Sequence, residues 1–385
     1  MSGPPASPSP RRRVVVFGTY QAQDHPRVRV LAEGIAAHGF DVSEINEPLG
    51  LSTADRVRLL RQPWRLPVLA TRLIRCWWRL WRRGRAVRGE VDAVLVGYLG
   101  HFDVHLARRT FPGVPILLDH MIFAAGTAAD RGVQPGLRTR MLSRLDRSAL
   151  QAADVIVIDT EEHAAQVPTA LTDRTVICPV GADSSWFAAG GARPGRPAGR
   201  PLRVVFYGLY TPLQGTPTIG DALRLLADRN DIEVTMVGRG QDYQAVRRLV
   251  PLTAPVSWID WLPAAELPIL VAAHDVALGI FGTTRKAADV VPNKVYQGAA
   301  AGCALVTSDT PAQRRVLGDS VVYVPVGNGT ALAAELVRLA TDPAHVRRFQ
   351  GAARTLADQN FTAEHIAAPL AERITTCRTR HQLHP

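Results

Sequence analysis

The run Asp289-Val-Val-Pro-Asn-Lys-Val-Tyr-Gln297, continuing into Gly298-Ala-Ala-Ala-Gly302-Cys-Ala-Leu-Val-Thr-Ser-Asp309, holds the side chains best placed for chemistry. Pro292 ends a loop, Asn293 to about Ala301 reads as a short helix, Gly302 stops it, and Ala304 to Thr307 reads as a buried strand. Asp289, Lys294 and Gln297 then gather at one helix N-terminus. Such a terminus presents unpaired backbone N–H groups and the positive end of the helix dipole, which suits an anionic ligand.

The elements that must position this segment are short apolar runs separated by helical patterns. Arg11-Arg-Arg-Val14-Val-Val-Phe17-Gly-Thr-Tyr20 is a strand entering a Gly-containing loop, and Val28, Leu31, Ile35 and Ala36 follow at helical spacing. Phe40 to Ile45, Val91 to Val96, Val114 to Leu118 and Val155 to Ile158 are further strand candidates. The Gly/Pro/Arg stretch 190–201 has the composition of a linker. After it the pattern restarts with Leu202-Arg-Val-Val-Phe206-Tyr-Gly208, a helix around Gly220 to Ala227, and Ile232 to Val237. Strands alternating with helices predict parallel sheets covered on both faces. The similar openings Val-Val-Val-Phe-Gly18 and Val-Val-Phe-Tyr-Gly208 predict an α/β chain of two Rossmann-like domains with a cleft between them. The expected division is a disordered tail over 1–12, a first domain over 13–189, the linker 190–201, a second domain over 202–360, and a C-terminal helix over 361–385 packing back on the first domain.

Phe281-Gly-Thr-Thr-Arg285-Lys286-Ala-Ala-Asp289 through Gly302 resembles the donor-site segment of the retaining GT-B glycosyltransferases of family GT4, in which two glutamates stand with seven residues between them. Asp289 and Gln297 hold that spacing, and the resemblance runs from Leu202 to about Leu336. It implies a GT-B fold, two Rossmann-like domains with parallel sheets facing across a cleft, and transfer of a sugar from a nucleotide-sugar donor without metal or other cofactor. It implies that Asp289 bonds the transferred sugar, that Gln297 meets the ribose hydroxyls, that Lys294 approaches the phosphates, and that backbone N–H groups from Val290 to Asn293, Pro292 excepted, face the sugar or diphosphate. An amide both donates and accepts, so ribose binding tolerates Gln297. In the loop after the second domain's first strand, Leu209 and Gln214 stand where the family carries an Arg and a Lys for the diphosphate. The charge is then expected from Lys294, Arg239, Arg285 or Lys286.

Gly208 and the Gly238-Arg239-Gly240 turn line the nucleotide in this reading, since glycines permit close backbone approach. Ser257-Trp-Ile-Asp-Trp261-Leu262 falls where the family places the nucleobase, and reads equally as a core strand. In the first domain Gly18 and Thr19 are expected at the cleft. The family's cleft histidine finds candidates in His101 and in His120, which follows a strand's C-terminal end, where ligands of α/β folds bind. A lone histidine also suits a surface or satisfied core position.

Between Arg56 and Arg88 there are eleven arginines and no acid. On a helical wheel for residues 65–83, Leu66, Leu69, Leu73, Ile74, Trp77, Trp78, Leu80 and Trp81 fill one half, and Arg65, Arg72, Arg75, Arg79, Arg82 and Arg83 lie opposite. This suits an interfacial helix on an anionic membrane, with Arg72, Arg75, Trp77, Trp78, Arg79, Trp81 and Arg82 as contacts. It also suits a core-packed helix with a solvated basic face. Nucleic acid is disfavoured because no nucleic-acid motif accompanies the charge.

The chain's 385 residues, 46% of them apolar, suit two soluble domains. The Pro-rich start lacks a signal-peptide core and no 18-residue apolar run occurs, so the expected residence is cytoplasmic, peripheral on the inner face of the plasma membrane if the arginine helix docks there. Cys76, Cys178, Cys303 and Cys377 form no CxxC pair and are expected to be reduced, mostly buried thiols. DxD, G-x-S-x-G, Walker A and HExxH motifs are missing. The expected function is a retaining glycosyltransferase acting on a membrane glycolipid or cell-surface polysaccharide precursor. The alternatives are transfer to a soluble natural product, a GT-B sugar-nucleotide epimerase, and a non-catalytic nucleotide-sugar-binding subunit. The oligomeric state is left open.

Overall fold

The computed structural model describes residues 11–21, 26–50, 66–191, 197 and 199–383. Most of the expected tail, Arg65 at the head of the arginine helix, and linker positions 192–196 and 198 lie outside the described residues. The strands are β1 (Arg13–Gly18), β2 (Asp41–Asn46), β3 (Ala93–Val96), β4 (Ile116–Asp119), β5 (Val155–Ile158) and β6 (Thr175–Ile177), then β7 (Leu202–Tyr207), β8 (Ile232–Val237), β9 (Val256–Ile259), β10 (Val276–Leu278), β11 (Ala304–Ser308) and β12 (Val322–Val324). They form two six-stranded sheets, ordered β2-β1-β3-β4-β5-β6 and β12-β11-β10-β7-β8-β9.

Every ladder is parallel. Central strands such as β3, β4 and β5 are buried at every residue, as helices on both faces require, which is why they read as unbroken apolar runs. Edge strands β2, β6 and β9 are half exposed and carry mixed sequences. In each sheet the strand order reverses once, between β1 and β3 and between β7 and β10. Connections from the two central strands diverge there, so a crevice opens beyond their C-terminal ends.

The chain crosses between the halves at its end. Helix Pro343–Asn360 lies against helix Asn293–Ala300 of the second half, and helix Ala363–Leu383 packs on helix Pro26–Ala37 of the first. Ile366, Ala367, Leu370, Ala371 and Ile374 share a core there with Val28, Leu31 and Ile35. Gly34 permits the contact, because a Cβ on it would lie 2.0 Å from the Ala363 carbonyl oxygen and 2.5 Å from the Ala367 Cβ. Backbone cannot give way as a side-chain end can. Gly34→Ala is therefore expected to destabilise by about 1 to 3 kcal/mol, the usual cost of overpacking, read as a lowered Tm in a thermal melt.

The arginine helix spans Leu66–Val87. Its apolar half divides in three dimensions. Leu80 is fully buried and Trp77 turns inward, donating its indole N–H to Asp103 Oδ1 at 2.8 Å, so Trp77 leaves the set of expected membrane contacts. Ile74, Trp78 and Trp81 stay outside at 62%, 54% and 37% exposure, with the Arg82 and Arg85 guanidinium groups over the Trp78 and Trp81 rings. The basic face also meets an acid that the local sequence lacks: Glu47 lies 2.9 Å from Arg83 and 3.6 Å from Arg79. Arg72 and Arg75 are exposed. Among the described residues no helix is long and apolar enough to cross a membrane.

Candidate active site

The second domain's crevice is built by backbone packed on backbone. Gly208 follows β7 with φ +142°, and Gly238 follows β8 with φ +115°. A Cβ on Gly238 would lie 2.0 Å from the Gly208 carbonyl oxygen, so only glycine lets these two turns touch. Gly215 closes the Gly208 loop at φ +64°, against the Phe281 backbone, and the Phe281 N–H donates to the Gln214 carbonyl at 3.0 Å.

Helix Asn293–Ala300 starts at Pro292, whose extended φ and ψ make it the cap. Asp289 does not join that start. It ends a separate helix, Arg285–Asp289, because Val290 to Pro292 run extended between the two. Lys294 and Gln297 are both buried on the later helix. The Tyr207 hydroxyl donates to the Lys294 carbonyl at 3.2 Å and to Gln297 Oε1 at 3.3 Å. The Lys294 side-chain nitrogen donates to Gln214 Oε1 and sits 3.8 Å from the Phe206 ring centroid. Burial pushes Lys294 well below the ordinary lysine range.

Asp289 faces a cavity of ≈ 510 Å³ between the halves, lined also by Phe123, Thr127, Asp130, His163, Gln166 and Lys286. Hydrogen bonds cross it. Gln166 donates to Asp289 Oδ2 at 3.4 Å, Thr160 to the Asp289 carbonyl at 2.9 Å, Thr284 to Asp130 at 2.6 Å and Lys286 to Thr127 at 2.7 Å. Arg285 is 3.8 Å from Asp289, and its side chain is 89% exposed. His163 escaped the sequence reading. Its Nδ1 pairs with the buried Asp159 carboxylate at 2.6 Å, and the ring borders the cavity. The signal was an Asp-x-x-x-His spacing just past β5, which one helical turn brings together.

The two expected first-domain histidines adjoin. Their ring centroids are 4.9 Å apart, both are buried, and His101 Nε2 bonds Asp146 Oδ1 at 2.9 Å. His120 Nε2 is 4.0 Å from the same oxygen. One ligand atom from each of these three residues lies within 4.8 Å of the others, the spacing of a cation site. Asp146 already accepts from the Ala124 and Ala125 N–H groups at 2.9 and 3.3 Å, so it clamps the loop between His120 and the cavity. Burial, then the neighbouring His101, lowers His120 to about 3, which keeps it neutral.

Thr19 is tied to Asp103, whose Oδ2 accepts its N–H at 2.7 Å and hydroxyl at 2.8 Å, and Gly18 adjoins the same carboxylate, 3.2 Å from where its Cβ would stand. The same carboxylate holds Trp77, so Asp103 joins the arginine helix to the first domain's cleft loop. Arg239 turns to Asp260 and lies 5.0 Å over the Tyr243 ring, which takes up the cation expected for the diphosphate. Trp258 packs against the core under Arg247, whereas Trp261 stands 76% exposed beyond β9.

This architecture is the GT-B fold, two parallel Rossmann-like sheets facing across a cleft. It matches the sucrose-phosphate synthase of Thermosynechococcus elongatus with a TM-score of 0.70 at 17% identity, over 96% of this chain and 100% of that one. Anabaena HepE, solved with UDP-glucose, matches at 0.65 and 12% identity over 94% and 99%. The α,α-trehalose-phosphate synthase (UDP-forming) of Burkholderia vietnamiensis matches at 0.63 and 13% over 95% and 97%. Residues 201–342 match the model of the family described as Glycosyl transferases group 1. No curated protein sequence matches the chain.

Proposed function

We propose that the protein is a retaining glycosyltransferase of GT4 type, moving a sugar from a nucleotide donor to an acceptor hydroxyl. The observation that carries this is the convergence of Lys294, Gln297 and the Gly208 and Gly238 turns on the switch-point crevice, within the stretch that matches the family. Asp289 orients the sugar in the interdomain cavity, Gln297 meets the ribose, and Lys294 meets the diphosphate. Gly18, Thr19, Trp261, Arg285, Lys286, Pro292 and Asn293 complete the donor surroundings. His101 and His120 hold the first-domain wall. The anomeric carbon leaves the diphosphate oxygen and bonds the acceptor oxygen on the same face, while the donor's phosphate takes the acceptor proton. No metal or other cofactor takes part.

Two of the neighbours carry UDP chemistry in their descriptions, so uridine is the first base to test. A thermal-shift screen of nucleoside diphosphates fixes the base, and hydrolysis of the matching nucleotide sugar tests turnover. Tight nucleotide binding with no turnover of any nucleotide sugar would leave a non-catalytic binding subunit instead.

The acceptor proposed is lipid-linked, held at an anionic membrane by the exposed flank Ile74, Trp78 and Trp81 and the arginines Arg72, Arg75, Arg79 and Arg82. Each well-placed basic residue contributes roughly 1 kcal/mol at such a surface. Flotation with phosphatidylserine vesicles is expected to carry the protein, neutral vesicles are not, and replacing Ile74, Trp78 and Trp81 by serine is expected to weaken binding about tenfold or more. Equal binding to both vesicle types would rule out the electrostatic part.

A further inference from the structure

Lys294 is a buried amine without a counter-ion. Among the described residues no carboxylate lies within ion-pairing distance of it. The strand below offers the Phe206 and Tyr207 rings, and the Gly208 loop offers the Gln214 amide. The titratable group among these is the Tyr207 phenol, which burial raises far above its ordinary range and keeps neutral. Nζ packs directly against the Gly208 turn, where a Cβ would lie 3.1 Å from it, so the amine sits under the loop that follows β7. A desolvated ammonium with no opposite charge is strongly disfavoured, so the amine is favoured until an anion arrives.

We propose that a nucleotide diphosphate bound at the Gly208 loop is taken up together with one proton, which lands on Lys294, and that Gln214 is the neutral partner serving both the amine before and the ammonium after. This rests on the nucleotide-sugar reading above. The amide is suited to the task because it accepts from an ammonium through oxygen and donates to an amine lone pair through nitrogen. A glutamate there would fix the charge permanently, and a lysine, which the GT4 resemblance implies, would repel a second cation. The net event is amine, proton and diphosphate giving an ammonium–diphosphate pair, with no covalent change. The leaving group then meets its compensating charge only when it is in place.

The sign follows from linkage. The opposite charge of the diphosphate raises Lys294 from its depressed free value. Between the free and bound values the complex holds the extra proton, so affinity rises as pH falls, by up to about tenfold per unit. Isothermal titration of the full chain with UDP, GDP, CDP, dTDP and ADP at pH 8.5, in buffers of different ionisation enthalpy, reads the proton directly. A phosphate's second ionisation lies near about 6, so the ligand contributes none at that pH. About one proton per nucleotide is expected. Lys294→Arg is always charged and is expected to bind without uptake, and Gln214→Glu is expected to suppress uptake as well. Binding with no uptake by the wild-type chain overturns the proposal alone, as does uptake that persists in Lys294→Arg. Failure of all five nucleotides to bind removes the parent reading with it.

Discussion

Asp289→Ala is expected to lower kcat by about 10²- to 10³-fold, the range seen when one preorganised polar contact to a reacting group is lost. Affinity for the nucleoside diphosphate alone is expected to stay within about threefold, since that ligand lacks the sugar. The geometry separates the two effects. Asp289 borders the interdomain cavity, whereas Lys294 and Gln297 lie on the next helix against β7. Charge-assisted bonds from a carboxylate fix sugar hydroxyls more tightly than neutral ones do, so Asp289→Asn is expected to recover part of the rate. The substitution leaves the closure of the cleft in place, because Thr160 bonds the main-chain oxygen of residue 289 and Thr284 and Lys286 make their own crossings. Steady-state kinetics beside nucleotide binding decides it. Full turnover in Asp289→Ala would strip the residue of its role, and parallel loss of nucleotide binding would mean that the segment had moved.

The same segment shows what a sequence can and cannot disclose. Val204-Val-Phe206 and Val276-Ala-Leu278 lie side by side because parallel strands need apolar residues on both faces, and such runs are visible in one dimension. The helix at Asn293 was legible from Pro292 and Gly302. The short helix Arg285–Asp289 ahead of Pro292 was not, so Asp289 was read as loop at the start of the later helix and not as the end of its own. Residues joined only by tertiary approach were hidden altogether. Asp103 gathers Thr19 and Trp77, 84 and 26 residues away, and Glu47 meets the arginine face from another element. A helical wheel shows an apolar arc without saying which part of it meets the sheet. Trp77 and Trp78 therefore looked equivalent and proved to be opposites.

The pairing of Arg27 with Asp119 was also beyond reach of pattern reading, and it carries the largest stability effect expected in the first domain. Their side chains are 2% and 0% exposed, with Arg27 Nε 2.7 Å from Asp119 Oδ1 and an Nη1 bond of 2.9 Å to the Pro179 carbonyl. Arg27→Met removes the cation and keeps much of the apolar stem. It leaves a buried carboxylate unpaired, at a cost of about 3 to 5 kcal/mol. Burial already raises Asp119 above the ordinary carboxylate range, and Arg27 opposes that rise. Without Arg27 the folded-state value climbs further, while the unfolded chain still titrates near about 4. A raised carboxyl loses stability as pH rises from the unfolded value to the folded one, so the deficit of Arg27→Met is expected to be small at pH 4 and to grow toward pH 7. Arg27→Met/Asp119→Leu removes both charges and is expected to recover most of the loss, as apolar replacement of buried pairs commonly does. Urea unfolding at the two pH values measures each term. A deficit that ignores pH, or one the double variant does not repair, would assign the effect to packing around the Arg27 stem instead of to the stranded Asp119 charge.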